Sequence, residues 1–366
     1  MELDRRIMIK FDWETLVLAL AIAGLSVLLL YSLPSTGRVG IHVKQLVWLG
    51  LGVLAMGIIS WIDYQHLSRY AYVLYGAVLV SLVAVLLFSP VINGAQRWLA
   101  FGGFRIQPSE LAKPALMLAV AHYCAQVRSR SDGPMSLPHI VVPLGLMALP
   151  FALIAKQPDL STSMILPMIL AAMLIANGMR RQVWVTLGCL AMGALPVLWF
   201  GLKDYQRLRL LTLFQPQTDL LGAGYHSWQS KIAIGSGGLW GKGLFAGTQS
   251  RLHFLPETHT DFIFAVLGEE MGFGGVLLLF ALFSMLLMHG LVVAAQARDH
   301  LGSLLVTGVV VMLAAQVFLN VGMTTGLIPI IGLPLPLMSY GGSSLITTFI
   351  CLGLLMSVRR HCFTFS

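Results

Sequence analysis

The chain has 366 residues, of which 57% are hydrophobic and only 10% are charged, and its formal net charge is +8. A soluble domain has about 45–50% apolar and about 25% charged residues, so this composition excludes an ordinary soluble protein and predicts a polytopic membrane protein. In such a protein, excess Lys and Arg report topology and contact with anionic lipid, so no nucleic-acid partner is expected.

Taken in chain order, the apolar runs predict an all-α fold, because a spanning helix needs about 20 largely apolar residues. The first run lacks a signal-peptide cleavage site and is interpreted as a retained span. The eighth run is too long for one straight crossing, so part of it is expected to lie along the membrane surface. About ten spans are predicted, near 15–33, 43–62, 71–89, 109–125, 140–155, 160–178, 183–202, 262–296, 302–324 and 343–358.

The Lys and Arg residues of the short loops predict the orientation of these spans. One side of the membrane holds about eleven of them and the other about five, so the first side, with both termini, is predicted to be cytoplasmic. We expect one integral domain over 1–366 and no disulfide, because no cysteine lies in an outside loop. The loops predicted to face outward are 90–109, 156–163, the large loop 203–260, and 326–342.

Charges occur at the start of the fourth predicted span, directly after a loop rich in turn residues. Glu110 and Lys113 lie at i and i+3, so they share one helix face and can form an ion pair. The pair could only stabilise two charges in the membrane. Alternatively it could form the wall of a polar cavity, because intramembrane charges usually face a bundle interior or water. Arg97, in the preceding loop, is a further candidate for substrate binding.

Lys156 and Asp159 lie at the outer junction of two nearly contiguous spans. Asp159 is followed by Ser161 and Thr162, a pattern typical of a helix N-cap. The alternative is a polar corner that faces the same cavity as Glu110. Both interpretations stay open, and Lys156 and Asp159 are candidates for substrate binding.

The large outer loop has a Gly-rich centre, GAGYHSWQSKIAIGSGGLWGKG. A phosphate-binding P-loop fails on spacing, because Gly243 follows Lys242 where Ser or Thr is required. Lys231 and Lys242 add positive charge near a membrane surface, where they could bind an anionic head group. A solvated loop face without a binding role is the alternative.

Five ionisable side chains crowd the fourteen residues 257–270 of the stretch RLHFLPETHTDFIFAVLGEEMGFGG, where this loop meets the eighth span. At a helix N-terminus, Asp261 could simply complement the helix dipole. A carboxylate at the mouth of a membrane bundle is also placed to accept a proton from a hydroxyl. Glu257 and His259 would then be its electrostatic neighbours, whereas separate roles for Glu269 and Glu270 do not follow from the sequence.

The segment 320–344 is rich in proline and glycine, which excludes a regular helix over much of it. Non-helical backbone at membrane depth survives only when it is buried in protein or lines a cavity. Ser339, Tyr340, Ser343 and Ser344 supply neutral hydrogen-bond donors of the kind that hold sugars or diphosphates. No metal-ligand motif such as HExxH or CxxC occurs in the chain.

An enzyme site on the outer face has neither ATP nor a nucleotide sugar at hand, so its donor must arrive already activated. A lipid-linked diphosphate sugar meets this requirement, since its tail lies in the bilayer while its head reaches an outer cavity. Basic side chains would bind the diphosphate, and an outer carboxylate would activate an acceptor hydroxyl.

The stretches FLPETHTDFIFAVLGEE, GLPLPLMSYGGSS, NGAQRW and QPSELAK resemble motifs of the shape, elongation, division and sporulation (SEDS) family, and most closely its rod-shape branch. The resemblance covers essentially the whole chain and implies ten spans with both ends inside. It implies a peptidoglycan glycosyltransferase that polymerises lipid II during cell elongation, in the bacterial cytoplasmic (inner) membrane with its site facing the periplasm. By the same resemblance, Asp261 is the essential acid, and Glu110 and Lys113 are the polar pair of the central cavity.

The resemblance also implies a partner, a class B penicillin-binding protein that cross-links the glycan strands. A divalent cation, Mg or Mn, could accompany the diphosphate, although no dedicated ligand set is visible in the sequence. Two rival functions use the same features. One is a flippase that moves the same lipid across the membrane, and the other is a non-catalytic scaffold in which Asp261 only caps a helix.

Overall fold

The computed structural model describes residues 11–34, 40–89, 97–101, 104–130, 135–179, 223–252, 254–255 and 257–362, with isolated residues between 180 and 222. All structural statements concern these residues. Most of the predicted span near 183–202 and the first part of the large outer loop lie outside them.

Helices dominate the described part of the chain, as the composition predicts. One short antiparallel hairpin, β1 with β2, stands where the sequence predicts only an outer loop with turns. In chain order the elements are α1 (Trp13–Ser32), α2 (Ile41–Trp61), α3 (Tyr64–Arg69), α4 (Ala71–Phe88), β1 (Leu99–Phe101), β2 (Phe104–Ile106), α5 (Pro108–Arg130), α6 (Leu137–Lys156), α7 (Leu160–Asn177), α8 (Ala223–Ser236), α9 (Thr248–Arg251), α10 (Ile263–Gln296), α11 (His300–Thr324) and α12 (Gly342–Cys362).

Eight helices in the described residues are long and apolar enough to cross a membrane, namely α1, α2, α4, α6, α7, α10, α11 and α12. Each coincides with a predicted span. Helix α5 has 23 residues and occupies the place of the predicted span near 109–125, but it carries four charged side chains. The prediction of an all-α polytopic membrane protein is confirmed, whereas the count of ten spans stays a prediction.

Helix α11 lies at the centre of the bundle. In its most apolar stretch 67% of the residues are buried inside the protein, against 22% for α2, α4 and α6. It packs against α5, α7, α10 and α12, and its Gly308 faces Met117 of α5. Small residues of this kind let helices approach closely in lipid. The apolar stretch of α12 is buried to the same extent, 67%, and α12 begins at the candidate site described below.

The long α10 is broken at Gly272, whose φ of 63° and ψ of −159° are not helical. Glycine adopts such angles without a steric penalty. The loop 237–243 packs onto the break, where Phe273 N donates to Gly238 O (2.9 Å). Residues 262–270, before the break, are buried within the protein. The break at Gly272 divides the helix into two parts, and the expectation that part of it lies along the membrane surface stays a prediction.

Candidate active site

A polar pocket of about 360 Å³ lies at the end of the bundle where α5, α7 and α12 begin, called here the pocket end. Small-molecule sites typically have about 300–1,000 Å³. Its lining comes from four separate stretches of sequence: Arg97, Trp98, Gln107 and Glu110; Asp159, Ser161 and Thr162; Glu257, Thr260 and Asp261; and Gly332, Pro334, Tyr340, Gly341 and Ser344. Seven residues singled out from the sequence are brought together here: Arg97, Glu110, Asp159, Glu257, Asp261, Tyr340 and Ser344.

Asp261 lies at the pocket, two residues before α10 begins at Ile263. The N-cap position of α10 is occupied by Phe262, and no side chain caps this helix through a hydrogen bond. The Asp261 side chain is only partly buried, and its Oδ2 lies beside the Gly332 backbone. The structure therefore makes Asp261 a pocket carboxylate and not the cap of α10.

Glu110 reaches the pocket from the first turn of α5, and Lys113 lies one turn further into the bundle. Lys113 Nζ and Glu110 Oε2 are 2.8 Å apart, and only 1% and 4% of the two side chains are exposed. Charges so deeply buried are tolerated only when they are paired with good geometry. The ion pair and the cavity wall, the two alternatives that the sequence left open, are therefore compatible. The two residues form an ion pair, and Glu110 lines the pocket.

Asp159 is both a helix cap and part of the pocket. Its Oδ1 accepts hydrogen bonds from Ser161 Oγ (3.0 Å) and Thr162 N (3.4 Å) at the start of α7. Its Oδ2 accepts from Gln107 Nε2 (2.9 Å) and Ser109 Oγ (3.1 Å) at the start of α5. One buried carboxylate thus fixes the first turns of α5 and α7 against each other.

Arg97 brings positive charge to the pocket. Its NH1 lies 3.8 Å from Asp159 Oδ1, and its side chain is 33% exposed. The guanidinium also donates to the backbone carbonyls of Gln157 and Pro158. Among the lining residues that the structure describes, Arg97 is the one Lys or Arg. It is therefore the side chain best placed there to bind an anion.

Three basic residues predicted for the site do not line this pocket. Lys242 Nζ instead lies 2.8 Å from Glu269 Oε1, a fully buried carboxylate. Lys231 is exposed and lies on the Gly326 backbone, and Lys156 is exposed at the last position of α6. In this structure Lys242 holds the Glu269 carboxylate and Lys231 covers the Gly326 backbone, so a diphosphate in the pocket would meet Arg97 instead.

Two predicted serines lie behind the pocket wall. Ser339 Oγ accepts from Leu335 N (2.8 Å) and donates to Thr260 O (2.5 Å). Ser343 Oγ accepts from Gln107 N (3.1 Å), where the hairpin joins α5. Both hydroxyls join lining segments to each other, so their observed role is to shape the pocket.

The three remaining predicted residues surround Asp261. Glu257 is exposed at the pocket with φ +49°, and His259 lies behind Tyr340, their ring centroids 5.8 Å apart. Burial raises the pKa of Tyr340 above its ordinary value of 10.0, which outweighs the opposing hydrogen bond with Trp48. The Tyr340 hydroxyl is therefore a neutral donor at physiological pH.

Gln107 and Trp98 line the pocket but were not singled out from the sequence. A signal existed for Gln107, because it directly precedes Pro108, the first residue of α5, and proline favours the first helical position. A side chain just before a helix start commonly turns toward the neighbouring backbone. For Trp98 no such signal existed, since a tryptophan in a membrane-protein loop is usually a surface anchor.

One histidine–carboxylate cluster in the described residues has metal-ligand chemistry: Asp12, Glu14 and His289. His289 Nε2 lies 3.0 Å from Asp12 Oδ2, and His289 Nδ1 lies 2.5 Å from Glu14 Oε2. The two ring nitrogens point in different directions, so one ion cannot replace both contacts. Burial raises the pKa of Asp12, but hydrogen bonds from His289 and Thr15 outweigh it and hold that pKa below 3.8. We interpret the cluster as an ionic contact that joins α1 to α10 at the opposite end.

Gly332 is expected to be irreplaceable beside Asp261. Its φ of +70° is unfavourable for other residues by about 1–2 kcal/mol, and an added Cβ would lie 3.1 Å from Asp261 Oδ2. We expect Gly332→Ala to lower activity about tenfold or more, because misplacing a side chain of a site by about 1 Å can lower a rate about 100-fold. Initial rates and thermal unfolding of the purified variant measure the two effects.

Gly178→Ala is the matched control, since Gly178 has φ +79° and an added Cβ there meets nothing within 4 Å. It imposes the same kind of backbone strain without touching the pocket. Equal activity loss in the two variants, at equal loss of stability, would contradict a specific contact with Asp261.

A nearly all-helical membrane bundle with an acid-lined pocket at one end defines the class of this protein: a polytopic membrane protein with a candidate acid–base site. The family model FtsW/RodA/SpoVE, described as "Cell cycle protein", matches residues 10–363. The chain therefore belongs to this family, and the family predicted from the sequence motifs is confirmed.

Individual relatives agree over nearly the whole length. The chain is 42% identical over 354 residues to "Peptidoglycan glycosyltransferase MrdB" of Escherichia coli (strain K12), which covers 96% of this chain and 94% of the relative. A chain of a peptidoglycan synthase complex that coordinates polymerization and crosslinking superposes with a TM-score of 0.82 and 32% identity, covering 97% and 99%. The rod shape determining protein RodA of Thermus thermophilus superposes with a TM-score of 0.71 and 30% identity, covering 96% and 98%.

Proposed function

We propose that this protein is a peptidoglycan glycosyltransferase that polymerises lipid II during cell elongation. The observation that carries the proposal is Asp261, a carboxylate that lines a polar pocket and does not cap its helix. The activity agrees with the name of the Escherichia coli relative. It also agrees with the donor chemistry expected of an outward-facing membrane site.

In the proposed reaction Asp261 is the general base, which accepts the proton of the acceptor sugar's 4-hydroxyl. The hydroxyl oxygen forms a bond to the anomeric carbon of the donor sugar. The bond from that carbon to the phosphate oxygen breaks, and its electron pair leaves with undecaprenyl diphosphate. Attack opposite the leaving group inverts the anomeric centre, which suits a single base. Arg97 is the pocket cation available for the diphosphate.

We also propose the membrane, the partner protein and the metal requirement of this activity. The apolar helices show a multi-pass membrane protein, and we propose the bacterial cytoplasmic (inner) membrane with the pocket end facing the periplasm. A structural neighbour belongs to a complex that combines polymerization with crosslinking. This supports a class B penicillin-binding protein as the partner here. We propose no resident metal, and Mg²⁺ or Mn²⁺ would enter only as a companion of the lipid diphosphate.

The rival functions fit the geometry less well. A flippase needs polar groups reachable from both sides of the membrane, whereas the polar lining of the pocket gathers at one end of the bundle. Lys113, the deepest charge next to it, is 1% exposed and paired. A scaffold would leave Asp261 as a helix cap, a position that Phe262 occupies instead.

The decisive experiment reconstitutes the purified full-length chain in liposomes that carry fluorescent lipid II. Polymer length is resolved on gels, and the sidedness of the label is followed by membrane-impermeant quenching, with and without a chelator. Glycan polymer is expected. Movement of the label across the bilayer without polymer would instead establish the flippase. Absence of both polymer and label movement, with binding of the partner retained, would establish the scaffold.

A further inference from the structure

Three consecutive backbone carbonyls next to the pocket are each held by a different donor. His259 O accepts from Tyr340 N (2.8 Å) and Thr260 O accepts from Ser339 Oγ (2.5 Å). Asp261 O accepts from Asn320 Nδ2 (3.0 Å). All three donors belong to the segment 320–340, so this segment sets the path of the backbone that carries Asp261.

Asn320 differs from the other two donors because it joins both sides of the carboxylate. It lies in α11 with no exposed surface, and its Nδ2 also donates to Leu333 O (2.6 Å). Leu333 follows Gly332, the residue beside Asp261 Oδ2. A single amide group therefore holds the backbone of Asp261 and the backbone of the facing wall.

The orientation of this amide is not ambiguous. Both contacts are carbonyl oxygens, which only accept, so the nitrogen of Asn320 must face them. Its Oδ1 is then left buried, with no hydrogen-bond partner among the described residues. Leaving a buried acceptor unpaired is unfavourable, which argues that the two donated bonds are needed.

We propose that Asn320 is a positioning residue for the reaction, which acts by fixing the Asp261 peptide relative to the Gly332–Leu333 wall. The bond to Asp261 O restricts rotation of the peptide that follows Asp261, and so the direction of its side chain. Asn320 touches neither sugar nor diphosphate in this scheme. The inference rests on the proposed glycosyl transfer.

The same helix offers a matched control one turn earlier. Gln316 is also fully buried in α11, and neither of its amide atoms has a hydrogen-bond partner among the described residues. Gln316→Met keeps the length of the side chain and removes an amide that holds nothing at Asp261. It therefore reports what loss of a buried amide from α11 does by itself.

The test uses the full-length chain in liposomes with lipid II and compares Asn320→Ala with Gln316→Met. Asn320→Ala is expected to lower kcat about 10- to 100-fold with KM changed less than about threefold, as for a misplaced reacting group. Gln316→Met is expected to keep kcat within about twofold. In an Asp261→Asn background, Asn320→Ala should lower the residual rate no further, because the two residues act as one unit.

Two results would overturn the proposal while leaving the proposed function intact: wild-type turnover in Asn320→Ala, or an equal loss with and without the Asp261 carboxylate. If Asn320→Ala fails to fold, Asn320→Ser keeps one donor at the site and takes the same tests. Absence of polymer from the wild-type chain would refute the glycosyl transfer itself, so the two failures are distinguishable.

Discussion

Asp261→Asn is expected to lower lipid II polymerisation at least about 100-fold, the range in which a general base contributes to a rate. The amide keeps the shape of the side chain but cannot accept the proton of the acceptor hydroxyl. Initial polymerisation rates of the purified variant at saturating lipid II measure this effect. Binding of lipid II should be retained, because the pocket keeps its form.

The Asp261→Asn substitution distinguishes a general-base role of Asp261 from a helix-capping role. Asparagine is about as good an N-cap as aspartate, so a capping role for Asp261 would leave the Asp261→Asn protein almost unchanged in stability and activity. Asp63 provides the matched control, because its Oδ1 accepts from Gln65 N (2.8 Å) as the N-cap of α3. Asp63→Asn is expected to keep wild-type activity. Comparable activity of Asp261→Asn and Asp63→Asn would refute the proposal that Asp261 is the general base.

The apolar runs could be predicted because membrane thickness imposes a length on every span, whatever the helix packs against. Residue type also marked Glu110, since an ionisable group at membrane depth is rare without a function. Asp261 was marked by the crowding of ionisable side chains at the mouth of the bundle. Both lie in the pocket. Span length and residue type are properties of a short stretch of sequence, so they can be recognised without knowing which residues pack together in the fold.

The partners of Lys242 and Gln107 could not be predicted because they depend on packing between distant segments. Lys242 pairs with Glu269, 27 residues later, and Gln107 bonds Asp159, 52 residues later. Counting charges places a lysine near a membrane surface but does not say which carboxylate lies opposite. The sequence therefore predicts that the loop offers cations to a ligand, whereas in the structure Lys242 holds Glu269 of α10.

The Glu110–Lys113 pair is expected to respond to substitution in two separable ways. Removing one partner leaves an uncompensated buried charge, so Glu110→Gln or Lys113→Met should each lower the free energy of unfolding by about 3–5 kcal/mol. The double variant Glu110→Gln/Lys113→Met removes both charges and should recover most of that stability. Thermal unfolding in detergent, followed by tryptophan fluorescence, measures these differences.

The activity of the double variant then shows whether the Glu110–Lys113 pair has a role in the reaction besides its role in stability. Glu110 lines the pocket, so the double variant is expected to fold and yet to polymerise lipid II poorly. The control is the buried pair at the opposite end, where Asp12 Oδ2 lies 3.0 Å from His289 Nε2. Its double variant, Asp12→Asn/His289→Gln, should retain activity once folded. If the stable Glu110→Gln/Lys113→Met protein were fully active, the charge of Glu110 in the pocket would be dispensable. The pair would then contribute to stability and not to the reaction.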